Sequence, residues 1–154
     1  MIKLPVKSVL ISLIVTGCFH SQAYAWTEYK NIRYMDVNGD LANEIVMETK
    51  HGAGSNHYIE DIRIFNDKYP EVELIFTVRT LDSTYGFTPP SPYNCNVIST
   101  VEFTEPRRQN GIRDIIVKSK KISYKDDENK VIDKEENLGT KIFEWDGERF
   151  TETK

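Results

Sequence analysis

Apolar residues alternate with polar ones along several short stretches of the chain, and this period of two residues restricts the fold more than any other feature. In EVELIFTVR (71–79), every second residue from Val72 to Val78 is apolar, as in a β-strand with one buried face. VISTVEF (97–103) alternates in the same way. No stretch keeps the 3.6-residue period of a helix over three turns. The sequence therefore predicts an all-β domain.

The beginning of the chain has the composition of an export signal. Two lysines precede an almost wholly apolar run (9–15), and AYA (23–25) has the small residues of a cleavage site. The apolar run is well short of the roughly 20 residues that a membrane-spanning helix needs. Removal of a signal peptide of residues 1–25 leaves 129 of the 154 residues, enough for one domain with its own core. We expect a domain of residues 26–154 in the periplasm or outside the cell.

A second processing site competes with the first. VTGC (15–18) resembles the lipobox of bacterial lipoproteins, with valine in place of the usual leucine. This alternative gives a lipoprotein signal of residues 1–17 and a lipidated Cys18 on the outer membrane. Cleavage after residue 25 instead leaves Cys95 as the one remaining thiol. There is then no internal disulfide, and Cys95 is either buried or available for pairing between chains.

The net charge of the chain argues against nucleic acid and anionic lipid as partners. Loss of residues 1–25 removes two lysines and no acids, so the formal net charge moves from −4 to −6. A net acidic chain without a basic block argues against binding to nucleic acid and against docking on anionic lipid. No transmembrane span is predicted either.

Two hairpins are predicted in the second half of the chain. KIFEWDGERFTE (141–152) has Asp-Gly between two strand-like stretches, which is typical of a hairpin with a two-residue turn. That register sets Glu144 opposite Arg149 as an ion pair. The charge-dense segment 118–137 predicts a long, exposed hairpin.

The two halves of the chain repeat one pattern. In about 30–80 and again in about 96–152, a strand leads through a polar loop into an acid followed by aliphatic residues. EIVM (44–47) corresponds in this way to DIIV (114–117). The halves are joined by STYGFTPPSPYNC (83–95), which is rich in proline and aromatic residues.

DVNGDLANEIV (36–46), followed by a glycine-containing segment and the strand-like IRIF (62–65), resembles the FG-GAP or VCBS blade module of integrin-like β-propellers. The resemblance covers residues 32–76 well and residues 97–150 loosely. It implies antiparallel blades of about four strands, of which this chain has length for two, whereas propellers use about four or more blades. We therefore expect an all-β fold of two blade-like sheets, packed as a small sandwich or propeller fragment, or shared between two chains of a homodimer.

The same resemblance implies a calcium site in DVNGDLANE (36–44). The family holds the ion with side chains at loop positions one, three, five and nine and with the carbonyl at position seven. The matching residues here are Asp36, Asn38, Asp40, Glu44 and the carbonyl of Ala42. Calcium takes roughly six to eight oxygen ligands, which such a set supplies together with water. Leu41 stands where the family has glycine. The alternative is a β-turn at NG (38–39) with no metal.

The joining segment 83–95 is the predicted partner-binding region. Tyr85, Phe87 and Tyr93 lie among its prolines. Aromatic residues in a stiffened loop lose little entropy on binding, and tyrosine is enriched at interfaces. In the other interpretation these rings only cover the open end of the core.

No set of residues in the sequence indicates an enzyme. His51 and His57 flank a glycine-containing stretch and are interpreted as exposed loop residues rather than zinc ligands. Ser55 lies near both but is not in a nucleophile elbow. We expect a non-catalytic, exported binding module of the cell envelope that binds a protein partner and is stiffened by calcium. The alternative is a periplasmic immunity or inhibitor protein that occludes a secreted toxin or an envelope hydrolase.

Overall fold

β-strands make up the regular secondary structure of the domain. The computed structural model describes residues 26–52, 57–68, 70–84, 94–125 and 131–153. The strands are β1 (Trp26–Met35), β2 (Glu44–Gly52), β3 (His57–Lys68), β4 (Glu71–Thr84), β5 (Asn94–Phe103), β6 (Ile115–Tyr124), β7 (Ile132–Trp145) and β8 (Phe150–Glu152). The predicted all-β fold is confirmed. The expected signal peptide, with Cys18, lies outside the described residues, and none of the described residues forms a helix that could span a membrane.

All eight strands belong to one antiparallel sheet, in which each strand pairs with its neighbours in chain order. The sheet is not closed, since β1 and β8 form its two ends. The two separate sheets expected from the sequence are not shown, because β4 pairs with β5 and joins both halves. That junction is short: four residue pairs, from Leu81 opposite Ile98 to Thr84 opposite Cys95.

A bulge in β4 lies next to this junction. Leu81 pairs with Glu60 and Arg79 with Asp61, so Thr80 is an extra residue on β4. Bulges bend a strand and increase its twist. Before the bulge β4 pairs only with β3, and after it β4 pairs with both β3 and β5. The two halves of the sheet therefore separate along most of β4 and can face each other.

One hydrophobic cluster takes side chains from both halves. Its fully or nearly buried members are Val37, Val46, Ile62, Ile64, Ile75, Phe76, Ile115, Val117 and Phe150. The ring of Phe76 from the first half meets Phe143 edge-on at 5.1 Å between centroids and Phe150 at 6.1 Å. Such pairs contribute about 0.5–1.5 kcal/mol beyond the area they bury. Burial of these rings stabilises the contact between the halves.

Equivalent strands of the two halves turn opposite faces to this cluster. Ile45 lies opposite Phe65 in the first half, and Ile115 lies opposite Phe143 in the second. Ile115 belongs to the shared cluster, whereas Ile45 and Phe65 form a smaller cluster with Met47. Side chains alternate between the two faces of a sheet. The buried positions of the second half are therefore shifted by one residue relative to those of the first half.

The C-terminal hairpin forms in a different register from the predicted one. Trp145 pairs with Phe150, so the turn holds four residues (146–149) in place of two. The aspartate that begins this turn accepts hydrogen bonds from the backbone N–H groups of the last two turn residues, both at 2.9 Å. These bonds support the longer turn. The predicted ion pair of Glu144 with Arg149 is therefore wrong.

The predicted exposed hairpin is formed by β6 and β7, which pair from Tyr124 opposite Ile132 to Ile115 opposite Phe143. Every residue from 131 to 142 is exposed. Since β8 pairs only with the end of β7, most of β7 is an edge of the sheet. Charged side chains line it, which is a common protection of exposed edges.

Candidate functional site

The segment 36–44 forms a loop between β1 and β2 whose polar side chains bond to the backbone of the same loop. Asp36 accepts hydrogen bonds from two backbone N–H groups, at 2.8 and 3.2 Å. Asn38 and Asp40 each accept one, at 3.0 and 2.9 Å. Three alternate side chains therefore place their oxygens within one tight loop, an arrangement typical of Asx turns.

Glu44 begins β2 and closes the loop. The residue is fully buried, and its Oε2 accepts a hydrogen bond of 2.8 Å from the N–H of Val37. Its Oε1 is buried and has no hydrogen-bond partner in the part of the chain that the structure describes. Burial raises the pKa of the Glu44 carboxyl, and the nearby charges of Asp40 and Asp36 raise it further.

This environment leaves the Glu44 carboxylate poorly compensated. A buried charge destabilises a protein unless hydrogen bonds or an opposite charge offset the loss of water. Hydrogen bonds from the backbone of Val37 and of Glu44 itself offset part of that loss, while the charges of two neighbouring aspartates add to it. The site therefore favours either a proton on Glu44 or a cation beside it.

The corresponding acid in the second half has a cation supplied by the chain. Asp114 precedes β6 as Glu44 begins β2, and the Arg107 guanidinium lies 2.7 and 2.8 Å from its two carboxylate oxygens. Arg107 also lies 2.9 Å from Glu144. Among the ion pairs of the described residues, none involves Glu44. The two halves thus differ in whether an ion pair neutralises the acid at the start of the strand.

The 36–44 loop is attached to the loop between β5 and β6. The carbonyl of Val37 accepts a hydrogen bond of 3.0 Å from the N–H of Arg113. A Cβ on Gly39 would come within 2.0 Å of the carbonyl oxygen of Asn110, and Gly39 has a φ of +79°. Only glycine tolerates both conditions. A rearrangement of the 36–44 loop would therefore also displace the loop between β5 and β6, which belongs to the other half of the sheet.

The structure brings the five predicted metal-site residues into one loop without arranging them as a finished ligand cage. Asp36, Asn38 and Asp40 turn their oxygens to backbone donors, and Ala42 gives its N–H to Asp40. Within the described ranges, no group of three or more His, Cys, Asp or Glu side chains is placed to hold a metal ion. These hydrogen bonds use only some of the acceptor sites of each carboxylate, so a cation can bind the remaining ones without breaking them.

The predicted partner-binding residues Tyr85, Phe87 and Tyr93 lie outside the described residues. The strands that lead into and out of their loop are firmly held. Ser83 is fully buried and donates a hydrogen bond of 2.7 Å to Asn96. Cys95, which is half-buried, is a free thiol in the adjoining strand.

A buried polar cluster around His51 was missed by the sequence interpretation, which made this residue an exposed loop histidine. His51 lies near the end of β2 and is fully buried. Its Nδ1 is 3.0 Å from the hydroxyl of Thr27, and its Nε2 is 2.8 Å from the hydroxyl of Thr49 and 3.6 Å from Asp61. The alternation of IVMETKH along β2 places His51 on the same face as Met47, and that signal could have found it.

The cluster continues through charged residues to His57. Asp61 lies 3.2 Å from Arg63 and 3.8 Å from Arg79, and Arg79 bonds Asp82 at 2.7 Å. Asp82 in turn lies 2.6 Å from His57. Partial burial acts to raise the pKa of Asp82, but the hydrogen bonds from Arg79 and His57 hold it below the ordinary value. These contacts tie β3 and β4 together.

Comparisons of the chain with protein-family models, with curated proteins and with solved structures find no match. The resemblance of residues 36–46 to FG-GAP and VCBS modules therefore stays a prediction from the sequence.

Leu41 provides a test of the loop conformation. Its φ is +68° and its side chain is 93% exposed, so the left-handed backbone is strained without compensation from packing. That strain costs roughly 1–2 kcal/mol, and the added freedom of glycine in the unfolded chain removes up to about 1 kcal/mol of any gain. We expect Leu41→Gly to raise the free energy of unfolding by about 0.5–1 kcal/mol in urea denaturation.

The matched control is Ala42→Gly, one residue further along the loop. Ala42 is exposed and does not have a positive φ, so glycine there relieves nothing and should cost roughly 0.5–1 kcal/mol. Equal effects of the two substitutions would contradict the strained conformation at Leu41.

The His51 cluster predicts a pH dependence of stability. Burial lowers the pKa of His51, and the charge of Arg63 adds to the effect against the opposing charge of Asp61. The ordinary pKa of histidine is 6.5. Below that pH, His51 takes up a proton readily in the unfolded chain but less readily in the folded chain. The free energy of unfolding should therefore fall as the pH decreases through that value.

Urea denaturation at about pH 7.5 and about pH 5.5 measures this loss. His51→Gln removes the titrating group, and its stability should change less between the two pH values than that of the wild type. The same pH dependence in His51→Gln and wild type would show that other groups cause it.

Proposed function

We propose that the chain is a non-catalytic, exported binding module of the bacterial cell envelope, built from two FG-GAP-like halves and stiffened by calcium in the 36–44 loop. The observation that carries this proposal is the buried Glu44 carboxylate, whose Oε1 lacks a hydrogen-bond partner among the described residues. It lies close enough to Asp36 and Asp40 for their charges to raise its pKa. A buried acceptor without a donor, close to the charges of two aspartates, favours a bound cation.

The donor set fits calcium better than a softer metal. The loop offers only oxygen: the carboxylates of Asp36, Asp40 and Glu44, the amide oxygen of Asn38 and the carbonyl of Ala42. Calcium is a hard cation that prefers such ligands in a flexible arrangement, whereas zinc prefers nitrogen and sulfur. A bound calcium ion would supply the positive charge that Arg107 gives to Asp114 in the other half.

Calcium in the 36–44 loop would also stabilise the contact of this loop with the second half of the sheet. Val37 is hydrogen-bonded to Arg113, and Gly39 packs directly on Asn110. An ion that orders the 36–44 loop would therefore also order its contact with the loop between β5 and β6. Stability gained by a ligand that binds only the folded protein follows from mass action.

The proposed partner is a protein, and its proposed contact surface includes Tyr85, Phe87 and Tyr93. One observation supports a protein partner: the β4–β5 pairs hold both ends of the 83–95 segment.

Thermal unfolding in calcium and in EDTA tests the metal. Calcium at about 100 times its Kd should stabilise the protein by about 2.7 kcal/mol, seen as a rise in Tm of several degrees. Asp36→Ala combined with Asp40→Ala should abolish the rise. Glu44→Gln should abolish it too, and in EDTA its stability should stay close to that of the wild type, because the neutral amide still accepts the hydrogen bond from Val37.

The control is Asp114→Asn, which changes the equivalent acid of the second half. It weakens the contact with Arg107 but leaves the 36–44 loop intact, so the difference between calcium and EDTA should persist. A wild-type protein with the same Tm in both buffers would remove calcium from the proposal.

Affinity capture of envelope and secreted proteins on the tagged protein, with calcium and with EDTA, tests the binding role. The proposal predicts a protein partner retained more strongly with calcium. One partner retained equally in both buffers would instead favour the immunity or inhibitor alternative, with the 36–44 loop acting only as a turn. Retention of no protein in either buffer would contradict a protein-binding module.

A further inference from the structure

Strands β1 to β5 line an open cavity of about 300 Å³ that the proposed calcium loop does not use. Each of the five strands contributes polar side chains to the lining. They include Lys30, Arg33, Glu48, Glu60, Asp61, Thr80 and Ser99. The lining thus combines cations, anions and hydroxyls around one space.

Four of the five charges of the lining pair with one another, and the fifth, Asp61, pairs with Arg63 at 3.2 Å. Lys30 Nζ lies 2.8 Å from Glu60, and Arg33 lies 3.8 Å from Glu48. Arg33 is held further by the ring of Phe103, 5.4 Å from its guanidinium carbon to the ring centroid. A charged ligand would have to separate one of these pairs. A neutral ligand with several hydroxyls can accept from the cations and donate to the carboxylates while the pairs stay intact.

Two aromatic rings, at the start of β1 and the start of β3, lie outside the cavity lining and are connected to it through Lys50. Lys50, which is opposite Glu60 in the sheet, has its Nζ 5.8 Å from the ring centroid of Trp26 and 4.8 Å from that of Tyr58. Trp26 is 45% exposed. A Cβ on Gly52 would come within 2.3 Å of the Trp26 indole nitrogen, so the absence of a side chain there lets the indole lie close on the backbone.

A fixed, half-exposed indole next to a polar cavity has two complementary properties. Its apolar face can pack on the C–H groups of a ligand ring, while the cavity supplies directed hydrogen bonds. Ligands that present an apolar ring face and a rim of neutral hydroxyls are saccharides. Nucleotides and acidic or basic peptides do not meet the condition of neutrality.

We propose that the cavity lined by Lys30, Glu60 and Thr80, together with the Trp26 ring, is a binding site for a neutral saccharide. Lys30 and Glu60 hydrogen-bond its hydroxyls as a donor and an acceptor held by their ion pair. Trp26 stacks on one ring face. The site is independent of the calcium proposal, because none of these residues belongs to the 36–44 loop.

Titration of the purified protein with N-acetylglucosamine, its β-1,4-linked trimer and maltotriose tests the site by tryptophan fluorescence and by calorimetry. The chain has two tryptophans, and Trp145 packs against the core. At least one sugar should cause a saturable fluorescence change that Trp26→Phe removes. No saturable signal from any of the three up to tens of millimolar would overturn the proposal.

Glu60→Gln tests the location of the site. It keeps the shape of the side chain but weakens a charged hydrogen bond, and the affinity measured by calorimetry should fall about tenfold. Glu102→Gln is the matched control, because Glu102 pairs with Lys118 at 2.9 Å and does not line this cavity. If Glu60→Gln fails to fold, Thr80→Val provides the same comparison.

Unchanged affinity in a folded cavity variant would overturn the assignment to this cavity. Glucosamine and glucuronate, each measured against N-acetylglucosamine, test the argument from neutrality. Tighter binding of either charged sugar than of the neutral one would overturn it.

Discussion

The four residue pairs between β4 and β5 determine how the rest of the sheet is arranged. A longer ladder would hold the halves side by side in one flat layer, with an apolar face open to water. The short ladder and the bulge at Thr80 instead allow the halves to separate. Phe76 of the first half can then pack against Phe143 and Phe150 of the second. One core results from one continuous sheet.

The two halves also differ in how they neutralise an acid at the same place. In the second half, Arg107 bonds the exposed side of Asp114, where water screens the pair and the contribution to stability is small. In the first half, Glu44 is buried beside two aspartates. The attraction for a cation is far stronger in a buried site than at the surface. A single basic residue therefore neutralises the acid in the second half, whereas Glu44 in the first half has no ion pair among the described residues.

Local features of the fold were predictable where neighbouring residues decide them. Alternation in EVELIFTVR identified the strand β4, and the charge density of 118–137 identified the β6–β7 hairpin with its exposed β7. The single buried face that the alternation predicts is wrong, because a bulge leaves Leu74 47% exposed and buries Ile75. The register of the last hairpin was not predictable from its Asp-Gly pair, because the aspartate side chain caps two N–H groups and lengthens the turn. The burial of His51 was also missed, since the glycines that follow it suggested a loop, whereas β2 continues through His51 to Gly52.

The sequence by itself determined the all-β class, the internal repeat and the order of polar residues in the 36–44 loop, because periodicity and short-range hydrogen bonds are properties of neighbouring residues. Only the tertiary structure decided which face of each strand is buried, and that choice differs between Ile45 and Ile115. It also decided that Glu44 loses its water and that Lys30 and Glu60 form an ion pair in the lining of a cavity. Burial and pairing of charges depend on residues distant in the chain, and no local pattern in the sequence records those distances.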